Sequence, residues 1–243
     1  GLANPKRKNL GGKLKSKNKS RQYVFIVLAV ALIVFFGLQL SRIFSPAYQN
    51  ATPENSIAVL PFTDLSQAGD QEYFSDGLTE DIITQLAKIK AFKVTSRTSI
   101  MKYKDNKKSL KEIGNELGAS IILEGSVQKS GDKVRITAQL INARNDEHLW
   151  AETYDRTLDD IFTIQTDIAT KIASALKANL SAEEEQGISK KYTLNTEAYQ
   201  LYLQGRYEWN KRLEAPVRKS IDFFKQAIAM DSTYALAYAG LGD

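Results

Sequence analysis

The sequence predicts a membrane-anchored α/β domain with a mixed β-sheet, in the order β-α-β-α-β-β-β-α, followed by an α-helical repeat. Three observations support this prediction. Residues 23–40 form a run of 18 residues without a charge. Residues 56–178 alternate between short apolar runs typical of strands and apolar residues at helical spacing. Residues 195–243 keep helical spacing and repeat part of their own pattern.

Composition limits the chemistry that the chain can perform. It has 243 residues, of which 43% are hydrophobic and 25% are charged, as is typical of a globular protein. It has no Cys, which excludes disulfides, thiolate metal sites and Cys nucleophiles. Its single His argues against a Ser-His-Asp triad. We therefore expect no catalytic residue, metal site or cofactor. Since the first residue is Gly1 and the last helical pattern breaks off, we also expect an internal piece of a longer protein.

The uncharged run predicts a transmembrane helix over residues 23–44, because about 20 apolar residues cross a bilayer core. A buried core helix is one alternative, but such a helix would not follow a purely cationic segment. A cleavable signal peptide is the other, but its apolar region usually has about 7–15 residues and ends at small residues. The residues assigned to the anchor are Tyr23, Phe25, Leu28, Leu32, Phe35, Phe36 and Leu40.

The charges around the run predict its orientation. Residues 1–44 hold nine Lys or Arg and no acid, whereas residues 45–243 hold 24 basic and 28 acidic residues. The positive-inside rule then places the basic tail 1–22 in the cytoplasm and residues 45–243 outside it. The tail can also contact anionic lipid headgroups. Binding of DNA by the tail is the weaker interpretation, since no aromatic residues interleave the charges. The topology residues are Lys13, Lys15, Lys17, Lys19 and Arg21.

The first half of the α/β domain follows a polar linker at 45–55. Residues 56–62 are a short apolar run that predicts a buried strand. Apolar residues at helical spacing predict a helix over 73–89, and 92–96 predicts a second strand. Ser109 and Glu112 have the spacing of a capping box, which predicts a helix over 109–117 that ends at Gly118.

The second half of the domain is predicted to add three strands and a helix. The third strand covers 120–128, and a turn at 130–132 leads to a strand in which Val134, Ile136, Ala138 and Leu140 alternate with polar residues. A fifth strand covers 147–155. Thr157 is predicted to cap a helix that carries apolar residues from Leu158 to Leu176. Crossovers and hairpins in this order predict a sheet with parallel and antiparallel parts.

Six segments of this domain have familiar sequences. They are SIAVLPFTDLS (56–66), YFSDGLTEDI (73–82), VTSRTS (94–99), LEGSV (123–127), RITAQLINA (135–143) and EHLWAETYDR (147–156). Together they resemble the TolB amino-terminal-like domain, over residues 56–178, in the form found in bacterial multidomain proteins between a membrane anchor and tetratricopeptide repeats. The resemblance implies an assembly or sensing module of the bacterial envelope, with residues 45–243 in the periplasm. We expect Gly77 to allow close helix packing, and Gly125 to mark a bulge or a close backbone approach.

The last part of the chain resembles tetratricopeptide repeats. Residues 179–194, rich in Glu and Lys, are predicted to be a solvated connector. Helices are then predicted over 198–212 and 220–231, and the pattern restarts after 37 residues against a usual period of about 34. An insert near 213–217 accounts for the longer period, and an ordinary helical hairpin is the alternative. The signature positions are Leu201, Gly205, Ser220, Phe224, Ala227, Tyr238, Leu241 and Gly242.

Polar and aromatic groups that suggest chemistry are interpreted as structural. His148 is predicted to lie in a strand, partly packed against a neighbour. The pairs Glu80–Asp81 and Asp159–Asp160 suggest paired carboxylates, but both are predicted near helix N-termini, where acids favour the helix dipole. The cluster Tyr199, Tyr202, Tyr207 and Trp209 is interpreted as repeat core, not as a ligand cage.

The leading hypothesis is a single-pass protein of the bacterial inner membrane whose extracytoplasmic α/β domain and repeats act as a protein-interaction or sensing module. Its partners would be the lipid bilayer, an envelope protein or peptide, and a second copy of itself. Residues 45–243 are expected to bind no nucleic acid. Two alternatives remain open: an accessory part of a membrane-bound adenylate or guanylate cyclase, or of a transmembrane transcription regulator with an upstream DNA-binding domain.

Overall fold

The structure, a computed structural model, describes residues 23, 28, 30–32, 34, 35, 55–67 and 69–243. The chain divides into two compact units, Gly1–Ala51 and Thr52–Asp243. The described residues of the first unit are helical, and the side chains of Tyr23, Leu28, Leu32 and Phe35 are exposed. No helix formed by the described residues combines the length and apolar character needed to cross a bilayer.

The rest of the predicted anchor and its flanks lies outside the described residues. This applies to Phe25, Phe36 and Leu40 of the anchor, to the topology residues Lys13, Lys15, Lys17, Lys19 and Arg21, and to most of the linker. The transmembrane helix and its orientation therefore stay predictions.

The second unit begins with a mixed β-sheet, as the sequence predicts. Its strands are β1 (Ser56–Val59), β2 (Thr63–Asp64), β3 (Lys93–Val94), β4 (Ile121–Ser130), β5 (Lys133–Asn142) and β6 (Glu147–Thr157). The spatial order is β3-β1-β4-β5-β6, and β2 also pairs with β4. Strand β1 runs parallel to β3 and β4, whereas β4, β5 and β6 are antiparallel neighbours.

Helices cover both faces of the sheet. They are α1 (Glu72–Ala87), the short α2 (Arg97–Ile100), α3 (Leu110–Leu117) and α4 (Ile161–Ala175). The main core packs α1 and α4 against one face of the sheet and includes Ile57 and Val59. Ala58 and Leu60, which alternate with them along the chain, belong to smaller clusters on the other face. Ile113 of α3 packs with Leu60 on that second face. Strand β1 and the first three residues of β4 are thus buried on both sides, as parallel strands usually are.

Several local predictions are confirmed. Ser109 and Glu112 form a capping box at the start of α3, and Gly118 ends that helix in the left-handed conformation, with φ of 62°. Gly125 marks a close backbone approach, because a Cβ atom there would lie 2.3 Å from the carbonyl oxygen of Thr137 and 2.4 Å from the ring of Phe62. Only a residue without a side chain fits at this position.

Other boundaries differ from the predictions. The strand predicted over 92–96 is limited to β3, because the chain turns at once into α2 and a 3₁₀ turn at Met101–Tyr103. Thr157 does not cap a helix through its side chain: a 3₁₀ turn, Leu158–Asp160, precedes α4, and the Thr157 hydroxyl instead donates to Asp160. The predicted helix also ends one residue earlier, at Ala175.

The segment predicted to be a solvated connector contains a helix, so that prediction is wrong. Helix α5 (Ala182–Ser189) starts with a capping box formed by Ser181 and Glu184. Ile188 is buried in the main core, and a Glu184 carboxylate oxygen accepts a hydrogen bond of 2.8 Å from the backbone N–H of Lys90. The charges that suggested a solvated segment cap the helix and tie it to the α/β domain.

Three more helices complete the unit: α6 (Thr196–Asn210), α7 (Glu214–Met230) and α8 (Ala235–Gly242). Helix α7 starts six residues before the predicted position, so the supposed insert is its first turn, where Pro216 is tolerated. Phe224 is fully buried between two glycines, because a Cβ atom would lie 2.5 Å from its ring at Gly205 and 2.7 Å from it at Gly240.

The structure separates the signature positions into two groups. Helices α6 and α7 pack together as a helical hairpin. Gly205, Ser220, Phe224 and Ala227 lie in its interior, and Leu201 packs partly against it. Tyr238 and Leu241 are exposed, and a Cβ atom at Gly242 would meet no atom within 4 Å. Gly240, which the periodicity does not identify, makes the contact with Phe224.

Candidate functional site

Helix α6 packs directly against α1 of the α/β domain. A Cβ atom at Gly77 of α1 would lie 2.6 Å from Cδ2 of Leu203 on α6, so the glycine makes this approach possible. Leu203 belongs to the same buried core as the α/β domain. Close helix packing at Gly77 is therefore confirmed, and its partner is the helical hairpin. We call this contact the α1–α6 dock.

Charged side chains reinforce the α1–α6 dock. Glu80 of α1 accepts a hydrogen bond of 2.9 Å from Arg206 of α6, and its other carboxylate oxygen lies 3.2 Å from Nε of Arg97. The Tyr207 hydroxyl donates to Glu72 over 2.5 Å. The Glu80, Arg97 and Arg206 side chains are all less than one third exposed, so solvent screens them less than it screens ordinary surface pairs.

A cavity of about 140 Å³ lies beside this dock. Helices α1, α4 and α6, the segment after α5 and the start of α8 contribute to its wall. Five aromatic side chains line it: Phe162, Tyr192, Tyr199, Tyr202 and Tyr234. Phe162 and Tyr199 meet edge to face with ring centroids 4.9 Å apart, and the Tyr202 and Tyr234 centroids are 5.2 Å apart. We call this space the aromatic cavity.

Asp81 of α1 is the acidic group that the aromatic cavity encloses. Its Oδ2 accepts a hydrogen bond of 2.5 Å from the Tyr199 hydroxyl and one of 2.9 Å from the Gln165 side-chain amide. Gln165 also donates to the Tyr199 hydroxyl at 2.9 Å, which closes the triangle. Burial raises the pKa of Asp81 to about 7, although both hydrogen bonds act in the opposite direction.

The pKa of Asp81 decides what the site can do chemically. A carboxyl group of this kind can accept a proton near neutral pH or pair with a cation. Tyr199 is a hydrogen-bond donor and not an activated nucleophile, because burial and the neighbouring Asp81 carboxylate raise its pKa well above the usual range.

Two tyrosine hydroxyls of the aromatic cavity have no hydrogen-bond partner within the described part of the chain. The Tyr234 side chain is buried and the Tyr202 side chain is half-buried, and no described residue forms a hydrogen bond with either hydroxyl. Neither hydroxyl is fully enclosed, since among the described residues only the Nε atoms of Arg97 and Arg206 are buried without a hydrogen-bond partner. Both hydroxyls therefore stay open to water or to a small molecule in the cavity.

The rim of the cavity is basic. Lys190 and Lys191 are exposed residues of its lining, and the ammonium groups of Lys88 and Lys190 lie 5.6 and 5.3 Å from the centre of the Tyr192 ring. Arg206 is already engaged by Glu80 and by Asp243.

The structure corrects the interpretation of the acid pair Glu80–Asp81. These residues lie in the middle of α1 and not near its N-terminus, so the helix dipole does not explain them. Both face partners on the helical hairpin. The pair Asp159–Asp160 does lie at the start of a helical segment, in the 3₁₀ turn before α4, as predicted.

The aromatic cluster is also more than repeat core. Tyr199 and Tyr202 line the aromatic cavity, and Tyr207 bonds to α1. Trp209 stacks with Arg206 and Arg212. His148 lies in β6, as predicted, and it is exposed. The described residues contain no group of three or more His, Asp or Glu that could hold a metal ion.

Sequence reasoning missed Asp81, Gln165 and Tyr234 as one site, since they are far apart in the chain. One local signal was present. Gly77, Asp81 and Gln85 follow each other at intervals of four, which places them on one stripe of α1 beside the apolar stripe of Leu78, Ile82 and Leu86. A glycine and an acid on a common stripe of a core helix indicate a close neighbour with a polar group.

Comparisons with known proteins match two overlapping parts of the chain. Residues 53–173 match the family model described as the HilA/YgeH-like transcriptional regulator, second domain. Over 189 residues the chain is 38% identical to a protein of Rhizobium meliloti (strain 1021) named "Putative adenylate cyclase 3". That match covers 76% of this chain and 32% of the relative, so the chain spans about a third of the relative's length.

Solved structures show weaker similarity. TolB from Acinetobacter baumannii is 18% identical with a TM-score of 0.38, and the match covers 50% of this chain and 28% of TolB. The LpoB C-terminal domain from Salmonella enterica is 16% identical with a TM-score of 0.35, over 43% of this chain and 83% of that domain. The chain is thus similar, over about half its length, to the second domain of HilA/YgeH-like regulators and, over three quarters, to part of the protein named as a cyclase.

Proposed function

We propose that this chain is a non-catalytic interaction and sensing module, in which the α/β domain carries a helical hairpin in a fixed orientation. One observation supports this most directly: the interlock of Gly77 with Leu203, strengthened by the Glu80–Arg206 ion pair. A hairpin that shares the core of its neighbouring domain cannot turn freely on a linker. A ligand or partner that acts on the hairpin therefore also acts on the α/β domain.

The hairpin is proposed to be a repeat of tetratricopeptide type. The enclosure of Phe224 between Gly205 and Gly240, with Ala227 and Ser220 buried beside it, supports this assignment, because such repeats stack small residues against aromatic ones. Stacked helical pairs present extended surfaces to protein or peptide partners. The large exposed apolar residues that α7 and α8 offer for this purpose are Ile221, Met230, Tyr238 and Leu241.

The module is proposed to be held at the bacterial inner membrane by residues 23–44, with the tail 1–22 in the cytoplasm and residues 45–243 in the periplasm. The uncharged run and the nine cations before residue 45 support this topology. The partners are then the bilayer, an envelope protein or peptide, and a second copy of the chain.

Two roles of the module within a longer protein are proposed, and each is favoured by one comparison. The relative named as a putative adenylate cyclase supports an accessory role beside a nucleotide cyclase. The match to the second domain of HilA/YgeH-like regulators supports a role beside a DNA-binding domain. In both cases the catalytic or DNA-binding residues would belong to another part of the protein.

Site-specific crosslinking tests the interaction role. A photoreactive amino acid replaces Tyr238, which is exposed, and the chain is irradiated in cells. We expect a defined adduct whose yield falls at least several-fold in Leu203→Glu, a change that leaves every residue of the α/β domain intact but places a charge in the dock. Asp222→Asn, at an exposed position of α7, is the matched control and should leave the adduct unchanged. The proposal fails if no adduct forms, or if Leu203→Glu gives the same yield.

A further inference from the structure

The aromatic cavity has the composition of a site for a small organic cation. Asp81 supplies a carboxylate whose two protein partners, the Tyr199 hydroxyl and the Gln165 amide, are both neutral donors bound to the same oxygen, Oδ2. Within the described part of the chain, no hydrogen bond to Oδ1 is formed. The carboxylate charge is therefore stabilised by hydrogen bonds but is not neutralised by a directly bound cation.

The cavity wall complements a cation in a second way. Tyr192, Tyr199, Tyr202, Tyr234 and Phe162 line the same cavity as Asp81. The faces of aromatic rings attract ammonium groups, and a cage of such rings with a carboxylate is a common way to bind amines. The Tyr234 hydroxyl, which forms no hydrogen bond with a described residue, is an additional acceptor for an ammonium N–H.

Size restricts the occupant to a small molecule. The cavity measures about 140 Å³, whereas an apolar cavity of about 150 Å³ in another protein takes up benzene. A single ring or a chain of a few carbons fits beside the ammonium group. Peptides and nucleotides are too large to be enclosed.

The other charges around Asp81 do not provide the missing counter-ion. Glu80, next to it on α1, is engaged by Arg97 and Arg206. The remaining cations near the cavity are Lys88, which follows α1 and donates to the Gln85 side chain and the Gly187 carbonyl, and Lys190 and Lys191 at the rim. Lys190 and Lys191 are exposed, so water and salt screen their repulsion of an incoming cation.

We propose that the aromatic cavity binds a small organic amine, with its ammonium group on the Asp81 carboxylate and its carbon atoms among the aromatic rings. Because the cavity is built from both the α/β domain and the helical hairpin, the amine would tighten the α1–α6 dock. This inference holds independently of the membrane anchor and of any protein partner.

Calorimetric titration of the full chain, purified in a non-ionic detergent, tests the proposal. The probes are benzylamine, its neutral counterpart benzyl alcohol, and the anion butyrate. We expect benzylamine to bind at about pH 8 with a Kd below about 1 mM, at least tenfold more tightly than benzyl alcohol. Asp81→Asn should weaken benzylamine binding at least tenfold, Tyr234→Phe should weaken it a few-fold, and Asp222→Asn should not change it. Binding should also weaken as the pH falls to about 5.5, because a proton then competes for the carboxylate.

Three outcomes would overturn the proposal without touching the interaction role. Equal binding of benzylamine and benzyl alcohol would show an apolar cavity without cation selectivity. Tighter binding of butyrate than of benzylamine would show that the site selects anions through Lys190 and Lys191 at the rim. Undetectable binding of benzylamine at about 10 mM by a folded chain would show that the cavity takes no amine. The comparison of the three probes uses the unaltered chain and does not depend on how well Asp81→Asn folds.

Discussion

Tyr199 donates a hydrogen bond of 2.5 Å to Asp81, which lies 118 residues earlier in the chain. The bond joins α6 to α1 and so joins the helical hairpin to the α/β domain. Gln165 of α4 completes the arrangement by donating to both groups. The sequence resemblances treat these parts as separate modules, whereas the structure gives them a shared core and a shared polar site.

Asp81 should make the stability of the protein depend on pH. Its pKa is raised from 3.8 to about 7 by burial, so the folded state holds a proton that the unfolded chain has released between these values. The free energy of unfolding should therefore fall as the pH rises from about 4 to about 7. Each unit of pKa difference corresponds to about 1.4 kcal/mol.

Asp81→Asn removes this titration. The difference in the free energy of unfolding between the variant and the parent should therefore grow in favour of the variant as the pH rises from 5 to 8. Because Asp81 is partly exposed, we expect this change to be on the order of 2 kcal/mol. Urea denaturation at several pH values measures the difference. Asp222→Asn should follow the parent at every pH. A constant difference between Asp81→Asn and the parent would show that Asp81 does not titrate in this range.

The interlock at the dock should make Gly77 intolerant of any side chain. Gly77→Ala places a Cβ atom 2.6 Å from Leu203, so we expect a loss of about 1–3 kcal/mol of stability. In the double variant with Leu203→Ala, the loss should be clearly smaller than the sum of the two single losses. Denaturant titration of the four proteins gives the coupling.

Gly187→Ala is the matched control for that cycle. Gly187 also lies in a helix, but a Cβ atom there would meet only Cδ of Lys88, at an ordinary contact distance of 3.8 Å. We expect no loss and a gain of up to about 1 kcal/mol from helix propensity. Equal effects of Gly77→Ala and Gly187→Ala would contradict the close approach of α6 to α1.

Two glycines of α8 should respond differently to the same change. Gly240→Ala would bring a Cβ atom to 2.7 Å from the buried ring of Phe224, whereas Gly242→Ala meets nothing within 4 Å. We expect Gly240→Ala to detach α8, seen as faster amide exchange in Ala235–Gly242, and Gly242→Ala to leave the exchange unchanged. Identical exchange in both variants would show that α8 does not pack on Phe224.

Topology is tested by fusing alkaline phosphatase after Pro53, since this enzyme is active only outside the cytoplasm. We expect an active fusion. Exchanging Lys13, Lys15, Lys17 and Lys19 for Glu should lower that activity, because the positive charges determine the orientation. An inactive fusion, together with an active cytoplasmic reporter at the same site, would contradict the proposed orientation.

Local sequence signals predicted much of the fold. The capping box at Ser109, the alternation from Val134 to Leu140 and the helical spacing from Phe74 to Leu86 depend on neighbours in the chain, and the structure confirms them. Ile89, the last apolar residue of the predicted helix, lies beyond its observed end at Ala87. The site could not be predicted in this way. Asp81 contacts Tyr199 only when α6 packs on α1, and this contact joins residues far apart in the sequence, as does the contact with Gln165. The acidic residues 183–185 suggest a solvated segment, so the sequence does not reveal the helix α5 that leads into α6.

The fixed orientation of the helical hairpin is the central claim, and a distance between two spin labels tests it most directly. The chain has no Cys, so Lys111→Cys on α3 and Asp222→Cys on α7, both at exposed positions, carry the only labels. Pulsed electron resonance should give a single narrow distance distribution in the otherwise unaltered chain and a broad one when Leu203→Glu opens the α1–α6 dock. A distribution that is already broad with Leu203 in place would contradict the account.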